Sequence, residues 1–560
     1  MATLILPINP QIMRKAIAGL VFCLFVLNIS AQKLKRPKLV VGIMVDQMRW
    51  DFLYRYYDRY GSDGFKRLMR EGFNCENTFI PFTPTYTAAG HSCVYTGSVP
   101  SLHGIAGNAW YDKTLKRTVY CTEDSSVTTV GSASSAGKQS PKNLWANTIT
   151  DELRMAQNFR SKTIAISLKD RGAILPGGHT ANGSYWFDNT VGGWISSDFY
   201  MKQLPQWMVR FNERKLPDVY LKQNWKTIYP INTYINSTAD AKPYESNLTG
   251  EDKTFDHITD NISTSKYESF KQTPYGNTYT FEAAKAAVEG EGLGKGGATD
   301  FLAISFSSPD YAGHAFGPNS VEIEDMYLRF DKELGAFLKF LDLKIGKGQY
   351  TLFLTADHGV AQIPGFLKEN KMPAGVLDDA EIRRQLNERI QSRFNIQNAI
   401  EFIINYQVHL NDAAIEDGNK ERIKLYIIEQ LLSFDGIASA FDLHKIALAS
   451  IPEKIKTMAT NGYNQKRSGD IQFIFKPQWF DGGATGTTHG TWNPYDTHIP
   501  LLWFGWGIKQ GKTYHEVYMT DIAPTLAALL KIQMPNASIG NVIQQITSPN
   551  PSKGGASLHH

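Results

Sequence analysis

Six side chains have the types and spacing of a metal site. "SPDYAGHAFGP" sets Asp310 and His314 on one short segment, "TADHG" places Asp357 beside His358, and "GTTHGT" flanks His489 with small residues. Asp46 ends the apolar run "KLVVGIMVD". Mixed carboxylate and imidazole ligation suits zinc. A set of this size suits a pair of ions, and two metals about 4 Å apart can stabilise both the attacking and the leaving oxygen of an in-line displacement. Each piece alone is weak. An Asp after a strand usually caps a helix, a D-x-x-x-H usually lies on the surface, and DH pairs arise by chance. The signal is their joint placement. His91, His103 and His498 read instead as local hydrogen-bonding groups that hold loops.

That joint placement follows from the elements. "KLVVGIMVD", "TIAISLKDR", "TDFLAISFSSPD" and "YTLFLTADHG" are continuous apolar runs that end in polar or charged residues, the pattern of parallel strands buried on both faces. "HIPLLWFGWG" adds a further strand. Helical spacing separates them, as in "VEIEDMYLRFDKELGAFLKFLDLKIG" and "MTDIAPTLAALLKI". The alternation predicts an α/β fold with a doubly wound, mainly parallel sheet. Ligands of such sheets gather at the carboxyl ends of the strands, where Asp46, Lys169, Asp310 and Asp357 would all lie. Two stretches break the rhythm: an irregular insertion at about 180–275, and residues 363–480, which carry their own helices and strands and read as an inserted α/β cap. The sheet domain then comprises residues 32–362 and 481–547, and "SPNPSKGGASLHH" forms a disordered tail at 548–560.

A chain of 560 residues with 42% hydrophobic residues can bury a large core. Its net charge of +4 and the lack of any basic tract beyond "KLKRPK" argue against nucleic acid as a partner. Arg14 and Lys15, the apolar run that follows and the small Ala31 have the form of a secretory signal cleaved near Ala31, with Met1 or Met13 as its start. The run is short for a membrane span, so export to the periplasm or beyond without a stable membrane anchor is expected. Cys75, Cys93 and Cys121 would remain after cleavage, enough for one disulfide of unassigned pairing. No CxxC supports a structural zinc cluster.

The order of the motifs carries more. "VDQMRWD", "TPTYTAAGH", "GSVPSLHGIAGNAWYD", "SLKDR", "DYAGHAFGP", "TADHG", "THGT", "YDTHIPLL" and "TDIAPTLAALL" run through nearly the whole chain. In this order they resemble the alkaline phosphatase superfamily, most of all its large secreted bacterial alkaline phosphatases of the PafA type. The nucleotide pyrophosphatase/phosphodiesterase branch is a more distant likeness. The resemblance implies phosphate monoester hydrolysis with Thr87 as nucleophile and a phosphothreonine intermediate. It implies two zinc ions: one held by Asp46, Thr87, Asp357 and His358, the other by Asp310, His314 and His489. Asn108, Lys169 and Arg171 would contact the non-bridging oxygens of the phosphoryl group. Whether a third metal such as magnesium is also present is left open, because Lys169 can fill that region with its own charge.

Elementary chemistry agrees with the assignment of Thr87. The stretch from Thr87 through Tyr95 can wind into a helix, whose N-terminus favours anions. A hydroxyl is a poor nucleophile at its free pKa, and zinc makes its alkoxide accessible near neutral pH. Thr83, Thr85, Thr96 and Ser98 lack that position. Lys169 and Arg171, on alternate positions of what reads as an extended segment, would aim two cations into one site. The competing activity is a phosphodiesterase of the same superfamily. Its substrate carries one charge fewer and needs room where those cations sit. A sulfatase would need a C/S-x-P-x-R nucleophile motif, which does not occur. Small phosphate monoesters are thus the expected substrates, and a monomer is favoured.

Overall fold

The structure, a computed structural model, describes residues 35–248, 253–260, 262 and 265–547, together with the isolated positions 11 and 14. Apart from those two positions, the expected signal segment 1–31 lies outside the described residues, and so does the tail 548–560.

Five strands form the parallel centre of an eleven-stranded sheet among the described residues. From one side they run Tyr350–Thr355, Leu39–Val45, Asp300–Phe306, Thr163–Ser167 and Gly183–Asp188. Leu39 pairs with both Tyr350 and Asp300, so the three central strands start level and end level. All of their residues are buried, which explains their unbroken apolar sequence. The margins are mostly antiparallel, although Gly511–Tyr518 pairs parallel with Phe73–Phe79. Leu501–Gly505 runs against Tyr350–Thr355 and then against Phe73–Phe79. Gly193–Ser197 runs against Gly183–Asp188 at the other side. Residues 183–197 were expected within an irregular insertion; instead they supply these two strands of the main sheet.

Helices cover the sheet and bind it through aromatic contacts. Phe281 of Tyr275–Gly290 lies 4.2 Å, ring centre to ring centre, from Phe306 on the sheet and 5.3 Å from Phe330 of Val321–Leu341. The Ser320 side chain caps the latter helix by accepting from the Ile323 N–H.

The later segment builds a separate four-stranded antiparallel sheet in the order Ile400–Ile404, Gln407–Leu410, Ile471–Phe475, Ile437–Asp442. Helices Asp379–Phe394 and Lys420–Leu431 give it a core of its own around Leu386, Ile390, Val408, Ile427 and Phe473. Its two ends meet where Gly375–Leu377 pairs with Trp479–Asp481. Cys75, Cys93 and Cys121 are all free and buried, so the disulfide allowed by the sequence is not formed among them. Burial pushes the Cys75 and Cys121 thiols up to about 12, which keeps them unreactive.

Candidate active site and metal centre

The carboxyl ends of four adjacent strands converge. Asp46 follows Leu39–Val45, Asp310 lies in the first turn of Ser308–Phe316 after Asp300–Phe306, Asp357 and His358 follow Tyr350–Thr355, and Lys169 follows Thr163–Ser167. The helix Ser308–Phe316 puts Asp310 and His314 one turn apart on one face, with Asp310 Oδ1 3.2 Å from His314 Nε2. His489 arrives on a loop, its Nε2 3.7 Å from the same Asp310 oxygen. His358 Nε2 lies 3.5 Å from Asp46 Oδ1 and from Asp357 Oδ2.

Two ligand groups are tight enough to share an ion: Asp310 with His314 and His489, and Asp46 with Asp310 and His358, each with its atoms within 4.8 Å. Asp310 therefore faces both groups, although the resemblance assigns it to one. The donor set fits a metal. Each of the three imidazoles spends Nδ1–H on a backbone carbonyl: His314 on Thr487 at 2.8 Å, His489 on Thr85 at 2.7 Å and His358 on Gly359 at 3.0 Å. A carbonyl only accepts, so the tautomer is fixed and Nε2 is left with its lone pair inward. Asp46 Oδ1 and Asp357 Oδ2 are buried without a hydrogen-bond partner. Burial, then the Asp310 and Asp357 charges, push the Asp46 carboxyl well up despite the Lys169 ammonium beside it, as expected where carboxylates crowd together out of water. Burial also holds His358 and His489 below the ordinary imidazole value, in the neutral form that ligates.

Thr87 is the first residue of Thr87–Thr96, and Tyr86 before it is extended. Thr87 is 1% exposed, with Oγ1 3.3 Å from His358 Nε2. The helix meets the Asp357 loop so closely that a Cβ on Gly90 would lie 2.5 Å from the Asp357 carbonyl oxygen. Of the other hydroxyls, Thr85 donates to the Thr491 carbonyl and Thr96 to that of Ser92, while Ser98 Oγ is buried without a partner. Asn108 Oδ1 accepts from Ala88 N–H at 2.9 Å, which orients the amide beside Thr87.

Lys169 Nζ donates to Asp46 Oδ2 at 2.7 Å and to Asp310 Oδ2 at 2.5 Å. Burial opposes its charge, but Asp310 and Asp46 outweigh it and raise the ammonium above its ordinary value. Two of its three N–H donors are thus committed to carboxylates. Arg171 is held at Nη1 by the Tyr120 hydroxyl at 2.9 Å, and Tyr120 donates to Asp170 at 2.6 Å. Arg171 Nε is buried without a partner. The extended K-x-R geometry is corrected: Lys169 is extended, but a helix begins at Asp170 and carries Arg171 in its first turn. The Tyr120 hydroxyl, rather than strand alternation, orients the guanidinium.

Three contributors were not singled out in the sequence as site residues. Gln47 donates through Nε2 to Asp310 Oδ1 at 2.8 Å and through N to Asp357 Oδ1 at 3.2 Å, from a backbone with φ of 66°. A non-glycine residue there is strained, as residues at sites often are. His91 donates to the Thr87 carbonyl, accepts from Ser305 and lies 3.3 Å from Asp357 Oδ2, so it holds the site together without spare ligand capacity. Tyr120, on a short hairpin, was invisible because nothing local links it to Arg171. His103 accepts from the nearby Ile105 N–H, as expected, whereas His498 bonds the Glu76 carbonyl, far away in the chain.

Comparison with known proteins agrees with this arrangement. Residues 40–497 match the family described as type I phosphodiesterase / nucleotide pyrophosphatase. The chain is 53% identical to alkaline phosphatase PhoV of Synechococcus elongatus, over 93% of this chain and 94% of that protein. It is 52% identical to a protein of Myroides odoratus named a calcium-transporting ATPase, over 92% and 96%; no helix among the described residues is long and apolar enough to cross a membrane. Alkaline phosphatase PafA of Elizabethkingia meningoseptica is 46% identical over 92% and 96%. Its crystal structure superposes with a TM-score of 0.90 at 45% identity, covering 92% of this chain and all of that one. A second solved form of that phosphatase is substituted at a threonine, an asparagine, a lysine and an arginine. Fold and site together define an enzyme of the alkaline phosphatase class. The chain belongs to the type I phosphodiesterase / nucleotide pyrophosphatase family of the alkaline phosphatase superfamily.

Proposed function

We propose that the chain is a zinc-dependent alkaline phosphatase that moves the phosphoryl group of small monoesters first to Thr87 and then to water. The observation that carries this reading is the place of Thr87: buried at the start of its helix, 3.3 Å from His358, against a cluster of three carboxylates and three imidazoles. Asp46, Thr87, Asp357 and His358 would hold one zinc, and Asp310, His314 and His489 the other. Bound zinc supplies Lewis-acid charge that makes the threonine alkoxide accessible and offsets the charge on the leaving oxygen.

The chain's own residues do the rest. Thr87 Oγ forms a bond to phosphorus as the bond to the ester oxygen breaks, and the departing alkoxide is protonated from water. Water then attacks phosphorus, the bond to Oγ breaks, and phosphate leaves. Asn108, with its Oδ1 fixed by Ala88, turns Nδ2 toward a non-bridging oxygen. Arg171 offers its unpartnered Nε–H, and Lys169 its third N–H, to the equatorial charge of the transition state. These two cations, Lys169 buried and Arg171 partly so, favour the two charges of a monoester over the single charge of a diester. The family description keeps phosphodiesterase activity as the alternative.

Replacing Thr87 by Ala should abolish turnover while leaving the thermal midpoint near that of the wild type, and Thr87→Ser should retain substantial activity. Acid-quenched labelled phosphate should be recovered on Thr87; label on another residue would reassign the nucleophile. The same reading includes export after cleavage near Ala31, checked by N-terminal sequencing of exported protein. It also includes a monomer, checked by solution mass, with the cap 363–480 inserted into a catalytic domain of residues 32–362 and 481–547.

A further inference from the structure

The strands Ile400–Ile404 and Gln407–Leu410 are joined by two residues, Asn405 and Tyr406, with φ of 59° and 60°. Two consecutive left-handed residues make the tight hairpin turn for which Asn-Gly is the favoured sequence. Asn suits the first position. A bulky Tyr at the second is unfavourable, and glycine would relieve it. The sequence therefore keeps Tyr406 against local preference.

Its contacts show what that side chain does. Tyr406 is 5% exposed, and its hydroxyl donates to the His489 backbone carbonyl at 3.0 Å. Its ring centre lies 6.2 Å from that of Tyr86, the residue before Thr87, and the Tyr86 ring stands edge-on to His489 at 5.7 Å. The approach requires glycine at 490, where φ is +118° and a Cβ would come 2.6 Å from the Tyr406 hydroxyl. Asn405 reaches the other side of the site: its Nδ2 donates to the Ala109 carbonyl at 2.9 Å, next to Asn108. The turn itself is anchored, because the Tyr406 carbonyl accepts from Gln472 Nε2 and Phe473 N–H. A phenylalanine would fill the same apolar space beside Phe473 and Phe475, so packing alone does not call for the hydroxyl.

We propose that the Asn405–Tyr406 tip is a positioning element for the reaction: Tyr406 fixes His489 for metal ligation, and Asn405 fixes the segment that carries Asn108. This rests on the ligand role given to His489 above. Loss of a group that orients a metal ligand typically weakens metal affinity by about 10–100-fold.

The test is zinc competition with a fluorescent chelator on full-length Tyr406→Phe, His489→Ala and the double variant. Tyr406→Phe should weaken the zinc site of Asp310, His314 and His489 by about tenfold, and activity should return toward wild type in excess zinc while the thermal midpoint of the zinc-free protein stays that of the wild type, which a merely structural lesion would lower. The double variant should bind zinc no worse than His489→Ala alone, because Tyr406 acts through His489. Asn405→Gly, which keeps a turn compatible with φ > 0, should raise KM for a phosphate monoester and leave zinc affinity unchanged. Wild-type zinc affinity in Tyr406→Phe, alongside a loss in His489→Ala, would overturn the inference and leave the ligand assignment standing. Unchanged zinc affinity in His489→Ala would overturn both.

Discussion

Arg171→Ala isolates the charge contact that should set monoester preference. The guanidinium is partly buried, tied at Nη1 to Tyr120 and unpaired at its buried Nε, so a substrate oxygen would complete its hydrogen bonding. A hydrogen bond to a charged group is worth about 1.5–3 kcal/mol, which is about one to two decades in kcat/KM. A monoester presents a second charge that a diester lacks. The variant should therefore lose about one to two decades on the monoester and only several-fold on a diester with the same leaving group. Tyr120→Phe removes the hydrogen bond that orients Arg171 and keeps the ring. It should lose about 1 kcal/mol, or roughly fivefold, in the same direction. Adding Lys169→Ala to Arg171→Ala should bring the two rates toward parity. The assay is kcat/KM for one monoester and one diester across the variants at saturating zinc. Equal losses on both substrates would refute the reasoning and leave the cations as supports of the fold or of the zinc ligands. A wild-type preference for the diester would favour the phosphodiesterase reading.

Chelation should abolish activity and lower the thermal midpoint, and zinc should restore both with about two ions per chain by metal analysis; full activity in metal-free protein would refute the metal assignment. Gly90→Ala should destabilise by about 1–3 kcal/mol and weaken zinc retention, because its Cβ would meet the Asp357 carbonyl at 2.5 Å; a midpoint and zinc content equal to wild type would show that the contact is soft. Burial, then Glu322 and Asp240, push Glu245 from 4.5 up to about 9. A folded value above the unfolded one means that the stability contributed by the protonated group is complete below pH about 4.5 and lost as pH rises through about 9. Glu245→Gln should thus gain thermal midpoint relative to wild type as the buffer moves from about pH 6 to about pH 9; a pH-independent difference would contradict the shift.

The sequence showed the parallel centre because burial on both faces leaves an apolar run that needs no partner to be recognised. It hid Phe73–Phe79, "FNCENTF", because neighbouring strands and helices bury its polar residues: Asn74 is 3% exposed and Thr78 fully buried. That burial is a tertiary property. The candidate ligands other than His489 were legible since strand ends and the i, i+4 helical repeat place them locally, whereas His489 sits on a loop. Gln47, Tyr120 and Tyr406 were not, because each acts on a residue far away in the chain, and no local spacing encodes such a meeting. The K-x-R pair shows a subtler limit: the residue types were informative, while the helix start at Asp170 depends on where the strand before it stops.

The convergence of Asp46, Asp310, Asp357 and His489 also sets an order in time. During synthesis at about 5–20 residues per second, roughly 20–90 seconds separate the appearance of Asp46 from that of His489. Through that interval the strand bearing Asp46 has neither of its flanking partners, Asp300–Phe306 and Tyr350–Thr355, until late. The six candidate ligands cannot all be present until His489 has been made, so on the proposed reading metal capture would follow assembly of the parallel centre of the sheet. Activity in a pulse-labelled sample would then serve as a clock for the last long-range pairing to form.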